Sequence, residues 1–511
     1  MKKPVKLGLW LIGFAVLALL GLWLEHERAK ARLAAFKAQL VAKGEKLAIA
    51  DHVPKLPNAL SNAAPDFIAA ANRLTELKTE FQPQRMRLIA PGRALVTWQQ
   101  AELPTDKDPD IRPILIAHVA ANRPLLAEMA TALERPEMVF NLDYSKGFSL
   151  LLPHLSKVKQ AANNFAIAAI IDLHMGQTNS AFTNLLAASR MSQSFQEPLL
   201  ISQLVRIACG QIVQQTTWEA LQHVGWSDAQ LRELQRAWKL CELRSGWLGS
   251  LSMERGISVI SIQQCRGNSE LLWEFTSWGP SHSGRGFFEE LFDDPGKAAM
   301  RVPQFTIHVA WSLWLSYPDE RWMLEHQQIW HEGARRMWTN QSFSATDRWM
   351  KTEVVKLGEQ SRWLHMLSGM IVPGVENYHK KMATFETTRR LTFTAIALHR
   401  HRLKHGKFPE SLGALVPEFL TEVPRDFMDG QPLRYKLQPD GQFLLWSVGE
   451  DFKDDGGDAM PLGVASGSSN LPDWLKGRDW VWPQAATEAE VAAHHAELEA
   501  KRAGSAPKNV P

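Results

Sequence analysis

The chain has 511 residues, of which 45% are hydrophobic and 22% charged, a composition that is ordinary for a folded protein and argues against wholesale disorder. Its formal net charge of +3 is small for this length and argues against a nucleic-acid binder, which normally carries a basic face. Three cysteines, Cys209, Cys241 and Cys265, are too few and too widely spaced for a disulfide framework or a zinc site.

Lys2, Lys3 and Lys6 precede an uncharged run of 18 residues from Leu7 to Leu24. A helix needs about 17–25 apolar residues to cross a bilayer. A cleaved signal peptide is the alternative, but Glu-His-Glu follows the run instead of the small residues of a cleavage site. The sequence therefore predicts that residues 1–24 are the cytoplasmic tip and uncleaved anchor of a single-pass bacterial inner-membrane protein. The inner membrane is then a partner through Leu7–Leu24, and the bulk of the chain lies in the periplasm.

The next segment, residues 25–65, is predicted to form a stalk helix and a linker. Leu33, Phe36 and Leu40 recur at helical spacings, until prolines from Pro54 onward interrupt the pattern.

Residues 66–380 predict a large α-helical region. Apolar side chains recur every three to four residues through much of it, and Gly176, Pro198 and Gly225 mark breaks between helices. A Gly-, Ser- and Pro-containing segment at 267–296 predicts a long loop, and the helical part after this loop is rich in tryptophan.

A second amphipathic pattern lies near the C-terminus. A helix with its apolar stripe at Leu391 and Leu398 ends at Gly406, the residue that favours a left-handed helix cap. The basic side chains Arg400 and Arg402 at the end of this helix are expected to face solvent.

Two further elements follow that helix. Leu412 and Leu415 begin a short amphipathic element, and alternating apolar residues on both sides of Asp440-Gly441 predict a β-hairpin. Residues 381–460 are thus predicted to form a small α+β module whose hydrophobic core is separate from that of the helical region, and residues 461–511 are predicted to form a flexible tail.

The order of these elements resembles the globular region of the major (G-type) pseudopilins of type II secretion systems. The Gly406–Pro409 turn and the Ser447–Asp451 segment match the family pattern, whereas Phe427 and Phe452 stand where the family has proline and glycine. The resemblance covers residues 389–458 and implies an α+β fold, envelope protein partners and a bound calcium ion. The predicted fold class is therefore mainly α, with one transmembrane helix, a large helical region and a small pseudopilin-like α+β module.

An aspartate-rich loop follows the predicted hairpin. Calcium takes about six to eight oxygen ligands, and clustered carboxylates interleaved with glycines suit this requirement. By resemblance, the family holds calcium in this loop, and a solvated acidic turn is the alternative. The predicted ligands are Ser447, Asp451, Asp454, Asp455 and Asp458.

No catalytic signature accompanies these features: Gly-x-Ser-x-Gly, P-loop and dinucleotide fingerprints are absent from the sequence. His399, His401 and His405 do not share one helix face, which argues against a metal site. The sequence favours a membrane-anchored periplasmic structural or recognition protein of an envelope assembly over an enzyme. The alternative is an anchored periplasmic hydrolase with its site in the Trp-rich helices.

Overall fold

The computed structural model of the protein describes residues 3–77, 85–99, 111–276, 305–357, 365, 367–371, 376–462 and 472–505. The predicted mainly α-helical class is confirmed, with small sheets that include residues near the C-terminus. The predicted loop at 267–296 lies largely outside the described residues. Its first part is helical, because one helix ends at Gly267 and the next spans Ser269–Thr276.

Helices follow one another along the described chain. Their bounds are Lys3–Ala42 (α1), Ala64–Ala71 (α2), Arg112–Ala132 (α3), His154–His174 (α4), Thr178–Ser194 (α5), Leu200–Leu221 (α6), Asp228–Leu240 (α7), Arg244–Gly267 (α8), Ser269–Thr276 (α9), Ser316–Asn340 (α10), Phe343–Leu357 (α11), Ser368–Ile371 (α12), Glu376–His405 (α13) and Glu488–Ser505 (α14). A π-helical turn, Trp311–Leu315, leads into α10.

The central bundle is built on α4, which packs against α3, α5 and α6. Small side chains such as Ala161, Ala162 and Ala168 are fully buried along α4, so that neighbouring helices approach it closely. On α6, Gly210 faces the ring of Phe385 from α13, and a Cβ atom at this glycine would lie 2.3 Å from the ring. Because Gly210 has no side chain, the Phe385 ring packs directly against the backbone of α6, and α13 lies close to α6.

The helix α13 belongs to the central bundle. It packs on α6 and α7, although most of this helix was predicted to belong to the 381–460 module. One continuous core includes Phe165, Trp238, Leu391 and Leu445. The sequence predicted that the helical region and the 381–460 module bury separate cores. That prediction is wrong, because α13 is buried almost all round and supplies apolar side chains to both.

Buried ion pairs fix α13 to its neighbours. The fully buried carboxylate of Glu386 accepts hydrogen bonds from Arg389 and from Arg390, each at 2.8 Å. Arg389 also donates to the carbonyl oxygens of Trp238 and Lys239, at 2.8 and 2.9 Å. These carbonyls lie in the last turn of α7, where carbonyl groups lack the regular hydrogen-bond donor four residues further along the helix.

A second core forms where the end of α1 meets α8 and α10. Leu33 and Leu40 are buried there with Ile262 and Met323, so the segment predicted as a stalk packs against the body of the protein. The physical reason is that the leucines are spaced along one face of α1 and α10 presents an apolar face to them.

The same junction carries a buried charge cluster. Glu45, just beyond α1, accepts two hydrogen bonds from Arg335 at 2.6 and 2.9 Å and one from Arg255 at 3.2 Å. Burial by itself would raise the pKa of Glu45, but the two guanidiniums lower it to about 2.

The apolar run Leu7–Leu24 lies in the first half of α1. Its side chains are described at residues 10, 13–14 and 16–24, and the helix continues into a charged second half. Over the part of the chain that the structure describes, no helix combines the length and the apolar character needed to cross a bilayer. This finding contradicts the predicted transmembrane helix and the predicted single-pass location in a bacterial inner membrane.

Two small sheets complete the described fold. The strands are Leu88–Ala90 (β1), Arg93–Ala94 (β2), Arg434–Leu437 (β3), Phe443–Ser447 (β4), Trp480–Val481 (β5) and Gln484–Ala485 (β6). The first sheet has the order β1-β2-β6, with β6 parallel to β2, and the second has the order β3-β4-β5, with antiparallel pairing.

The predicted hairpin is confirmed as β3 and β4, which turn at Gly441, where φ is +79°. The predicted flexible tail at 461–511 is wrong for its described part. Trp480 and Trp482 are buried, and Trp482 donates a backbone hydrogen bond to Leu445 at 2.9 Å. Burial of these large aromatic side chains stabilises the packing of this segment against the core.

Candidate functional site

The aspartate loop is organised by side chains of the protein. Asp454 accepts hydrogen bonds from the Trp446 indole at 3.0 Å and from Arg434 at 3.3 Å. Asp458 accepts one from Arg478 at 3.1 Å, and the Asp451 carboxylate accepts one from the backbone of Lys453.

The fully buried Asp479 lies beneath this loop. Its carboxylate accepts backbone hydrogen bonds from Asp455, Gly457 and Asp458, at 3.4, 2.7 and 3.2 Å. Burial raises the pKa of Asp479 above its ordinary value. Asp455 thus enters the site through its backbone amide.

The remaining predicted ligand, Ser447, points to another carboxylate. Its hydroxyl donates to the buried Asp426 at 2.9 Å, and the same carboxylate accepts from the backbone of Val448 and from Arg434, both at 2.9 Å. Within the described ranges, no three His, Cys, Asp or Glu side chains form a group suited to a metal ion. Calcium binding by this loop stays a prediction of the sequence.

A thermal-unfolding experiment tests calcium. A ligand that binds only the folded state raises the melting temperature with its concentration. If the loop binds calcium, the ion at about 10⁻⁴ to 10⁻³ M is expected to raise the melting temperature of the full chain. The double replacement Asp454→Ala with Asp455→Ala should remove that rise, and an unchanged wild-type melting temperature at millimolar calcium would leave a solvated acidic turn.

A pocket of about 400 Å³ lies where α6, α13, the β3–β4 turn and the strand β6 meet. Phe408, Phe443 and Trp482 supply aromatic lining, and the edge of Phe408 meets Phe443 with ring centroids 4.8 Å apart. Pockets that bind small molecules measure about 300–1,000 Å³ and combine an apolar wall with a few polar groups. The size and lining of this pocket match that description.

Arg402 is the polar group that distinguishes the pocket. Its guanidinium carbon lies 4.8 Å from the centroid of the Phe408 ring, and its Nη2 donates to Nδ1 of His399 at 3.4 Å. In the described chain, no carboxylate lies within salt-bridge distance of Arg402. The other arginine among the lining residues, Arg93, forms a salt bridge with Glu490 at 2.6 Å.

The local electrostatics keep His399 neutral. Removal from solvent, and in second place the neighbouring Arg402, lower the pKa of His399 to about 3. Burial also lowers the pKa of Arg402 from its ordinary value, although a guanidinium remains charged at neutral pH. The pocket wall therefore presents the positive charge of Arg402 beside an uncharged imidazole.

The sequence missed this pocket. It predicted that Arg400 and Arg402 face solvent, but Arg400 is buried and pairs with Asp228 at 2.7 Å, and Arg402 lines the pocket. The only local signal is the spacing of His399 and Arg402, three positions apart on one face of a helix. The other walls come from distant segments, so that no local pattern brings them together.

The Trp-rich helices contain a buried cluster around Asp319. This carboxylate accepts hydrogen bonds from the indole of Trp311 at 3.0 Å and from the hydroxyl of Ser368, and it lies 4.0 Å from Nδ1 of His365. The Ser368 hydroxyl donates to the carboxylate, whereas in a Ser-His-Asp triad the hydroxyl donates to the histidine. The arrangement holds the turn into α12 and does not favour the hydrolase alternative.

Comparisons of the chain with protein-family models, with curated proteins and with solved structures each found no match. The resemblance of residues 389–458 to the major pseudopilins therefore stays a prediction.

Proposed function

We propose that the protein is a recognition protein without catalytic activity and that it binds an anionic group of its partner in the pocket beside Arg402. The observation that carries the proposal is the guanidinium of Arg402, which lines the pocket, lies over an aromatic ring and has no carboxylate partner in the described chain. Arginine presents a planar set of donors that matches a carboxylate, and an aromatic wall accommodates the apolar part of the same ligand.

The composition of the pocket supports binding over catalysis. Among the described residues that line it, Asp440 is the one carboxylate, so these residues provide no pair of acids for general acid–base work. The imidazole of His399 is held neutral and accepts from Arg402, so it does not stand free to activate a nucleophile.

A binding experiment with 3-phenylpropionate, a carboxylate on an apolar body, tests this proposal. We expect Arg402→Gln to weaken binding about 10- to 100-fold, because a hydrogen bond to a charged group contributes about 1.5–3 kcal/mol. Isothermal titration calorimetry measures the dissociation constants of both proteins.

The matched control is Lys404→Gln, which removes one positive charge from the same helix. Lys404 is exposed and pairs with Glu418 outside the pocket lining, so its replacement should leave affinity nearly unchanged. Ala485→Trp, which fills the pocket from β6, should abolish binding without touching Arg402. Equal affinity of the wild type and Arg402→Gln, or no binding by the wild type, would contradict the proposal.

A further inference from the structure

The pocket carries two opposite charges that have no counter-charge in the described chain. Arg402 lies on α13, and Asp440 lies on the β3–β4 turn, where its Oδ1 accepts the backbone N–H of Gln442 at 2.9 Å. No lysine or arginine among the described residues lies within salt-bridge distance of Asp440. The two groups occupy different walls of the same pocket.

Several other polar groups at the pocket are already held by hydrogen bonds within the protein. Arg93 donates to Gln484 and to Glu490, both at 2.6 Å. Glu490 in turn accepts the hydroxyl of Thr487 at 2.9 Å, and Gln484 donates to the carbonyl of Phe443 at 3.2 Å. A ligand therefore meets one unneutralised cation, one unneutralised anion and an aromatic surface.

We propose that the ligand is a small zwitterion with an apolar side chain, of the amino-acid or dipeptide class. Its carboxylate lies on Arg402, its ammonium group faces Asp440, and its side chain packs against Phe408 and Phe443. This inference rests on the proposed recognition function and adds the second charge to it. A ligand with both charges matches the two walls at once, whereas a simple anion leaves Asp440 without a partner.

The volume of the pocket agrees with this ligand class. About 400 Å³ lies near the lower end of the range for small-molecule sites, which suits one amino acid or a dipeptide. The aromatic lining favours a large apolar side chain, because ring contacts add to the free energy of burying its surface.

Calorimetric titration of the full chain with four probes tests the assignment. The probes are L-phenylalanine, L-alanyl-L-phenylalanine, N-acetyl-L-phenylalanine, which lacks the positive charge, and 2-phenylethylamine, which lacks the negative one. We expect the better of the two zwitterions to bind about three- to fivefold tighter than the N-acetyl compound, which is the upper part of the range for a solvent-exposed ion pair. The ranking of the two zwitterions identifies the source of the ligand as a free amino acid or a peptide.

Asp440→Asn is the decisive variant. It should remove the preference for the zwitterion while leaving the affinity for N-acetyl-L-phenylalanine unchanged. Asp473→Asn, which removes an exposed carboxylate paired with Lys476 outside the pocket lining, is the control and should keep the preference.

The outcomes separate the two proposals. Equal binding of L-phenylalanine, the dipeptide and the N-acetyl compound, or a preference that survives in Asp440→Asn, would overturn the zwitterion assignment and leave Arg402-dependent recognition standing. Failure of every carboxylate probe to bind the wild type would overturn both.

Discussion

Glu386→Ala is expected to lower the free energy of unfolding by about 3–5 kcal/mol, the range for removing one partner of a buried ion pair. The carboxylate is fully buried and holds Arg389 and Arg390, each at 2.8 Å. Without it, two guanidiniums remain in the core with no negative partner. A typical domain has only about 5–15 kcal/mol of stability, so the variant loses a large part of it.

Chemical denaturation measures this loss as a shift in the unfolding midpoint. Because α13 shares one core with the helical bundle, we expect the C-terminal module and the bundle to unfold together in both proteins. The control is Glu353→Ala, whose carboxylate pairs with Lys356 on the surface of α11 and contributes about 0–1 kcal/mol. A variant as stable as this control, or early unfolding of the module alone, would contradict the expectation.

The stability that depends on Glu386 also depends on pH. Burial by itself would raise the pKa of this carboxyl, but Arg389 and Arg390 hold it below its ordinary value. A group whose pKa is lowered by folding stabilises the protein above its unfolded-state pKa and loses this effect as the pH falls through the folded-state value. The difference between the wild type and Glu386→Ala should therefore be full at neutral pH and shrink in strong acid.

The second large effect is expected for Arg434→Met. Arg434 donates to Asp426 at 2.9 Å, to Asp429 and to Asp454, and Asp426 is fully buried. Removing the arginine leaves three carboxylates near each other, one of them in the core. We expect a loss of about 3 kcal/mol at pH 8, the lower end of the range for a broken buried pair, because the arginine itself is partly exposed.

This loss should also shrink as the pH falls, but it should do so at a higher pH than the loss for Glu386→Ala. Burial raises the pKa of Asp426 to about 6 even with the arginine in place, and the missing cation raises it further. A carboxyl with a raised folded-state pKa destabilises the protein as the pH rises through the window between its unfolded and folded values. The variant should therefore lose most stability at pH 8 and less at pH 5, where Asp426 takes up a proton.

Denaturation midpoints of both proteins at pH 5 and pH 8 check this expectation. Arg478→Met is the matched control, since Arg478 is exposed and pairs with Asp458 at 3.1 Å, and it should cost less than about 1 kcal/mol at either pH. An equal loss at both pH values for Arg434→Met would show that the charge on Asp426 is not its cause.

Local patterns in the sequence predicted the elements that local physics determines. The break expected at Gly176 follows α4, which ends at His174, and the helix expected to end at Gly406 is α13, which ends at His405. Gly406 has the expected left-handed conformation, with φ at +77°. These features depend on apolar periodicity and on the conformational freedom of glycine, which neighbouring residues alone reveal.

Features that depend on distant residues were missed. Glu386 and Arg389 look like an ordinary helical charge pair, and only the packing of α13 on α7 makes them part of the core. The pocket has walls from β2, α6, α13 and β6, and its lining residues range from Arg93 to Thr487 in the sequence. The burial of the tryptophans near the C-terminus could not be predicted from periodicity. Trp480 lies in the two-residue strand β5 and Trp482 directly follows it, and so short a strand has no repeating apolar pattern.

The pairing of β2 with β6 has a consequence for the order in which the protein is made. Arg93 lies opposite Gln484, and their side chains are joined by a hydrogen bond across 391 positions of sequence. Trp218, in the centre of the bundle, likewise donates its indole hydrogen to the carbonyl of Pro483 at 2.7 Å. A ribosome must therefore synthesise the chain as far as residue 485 before this sheet closes, so the sheet forms after the helices of the central bundle have been made.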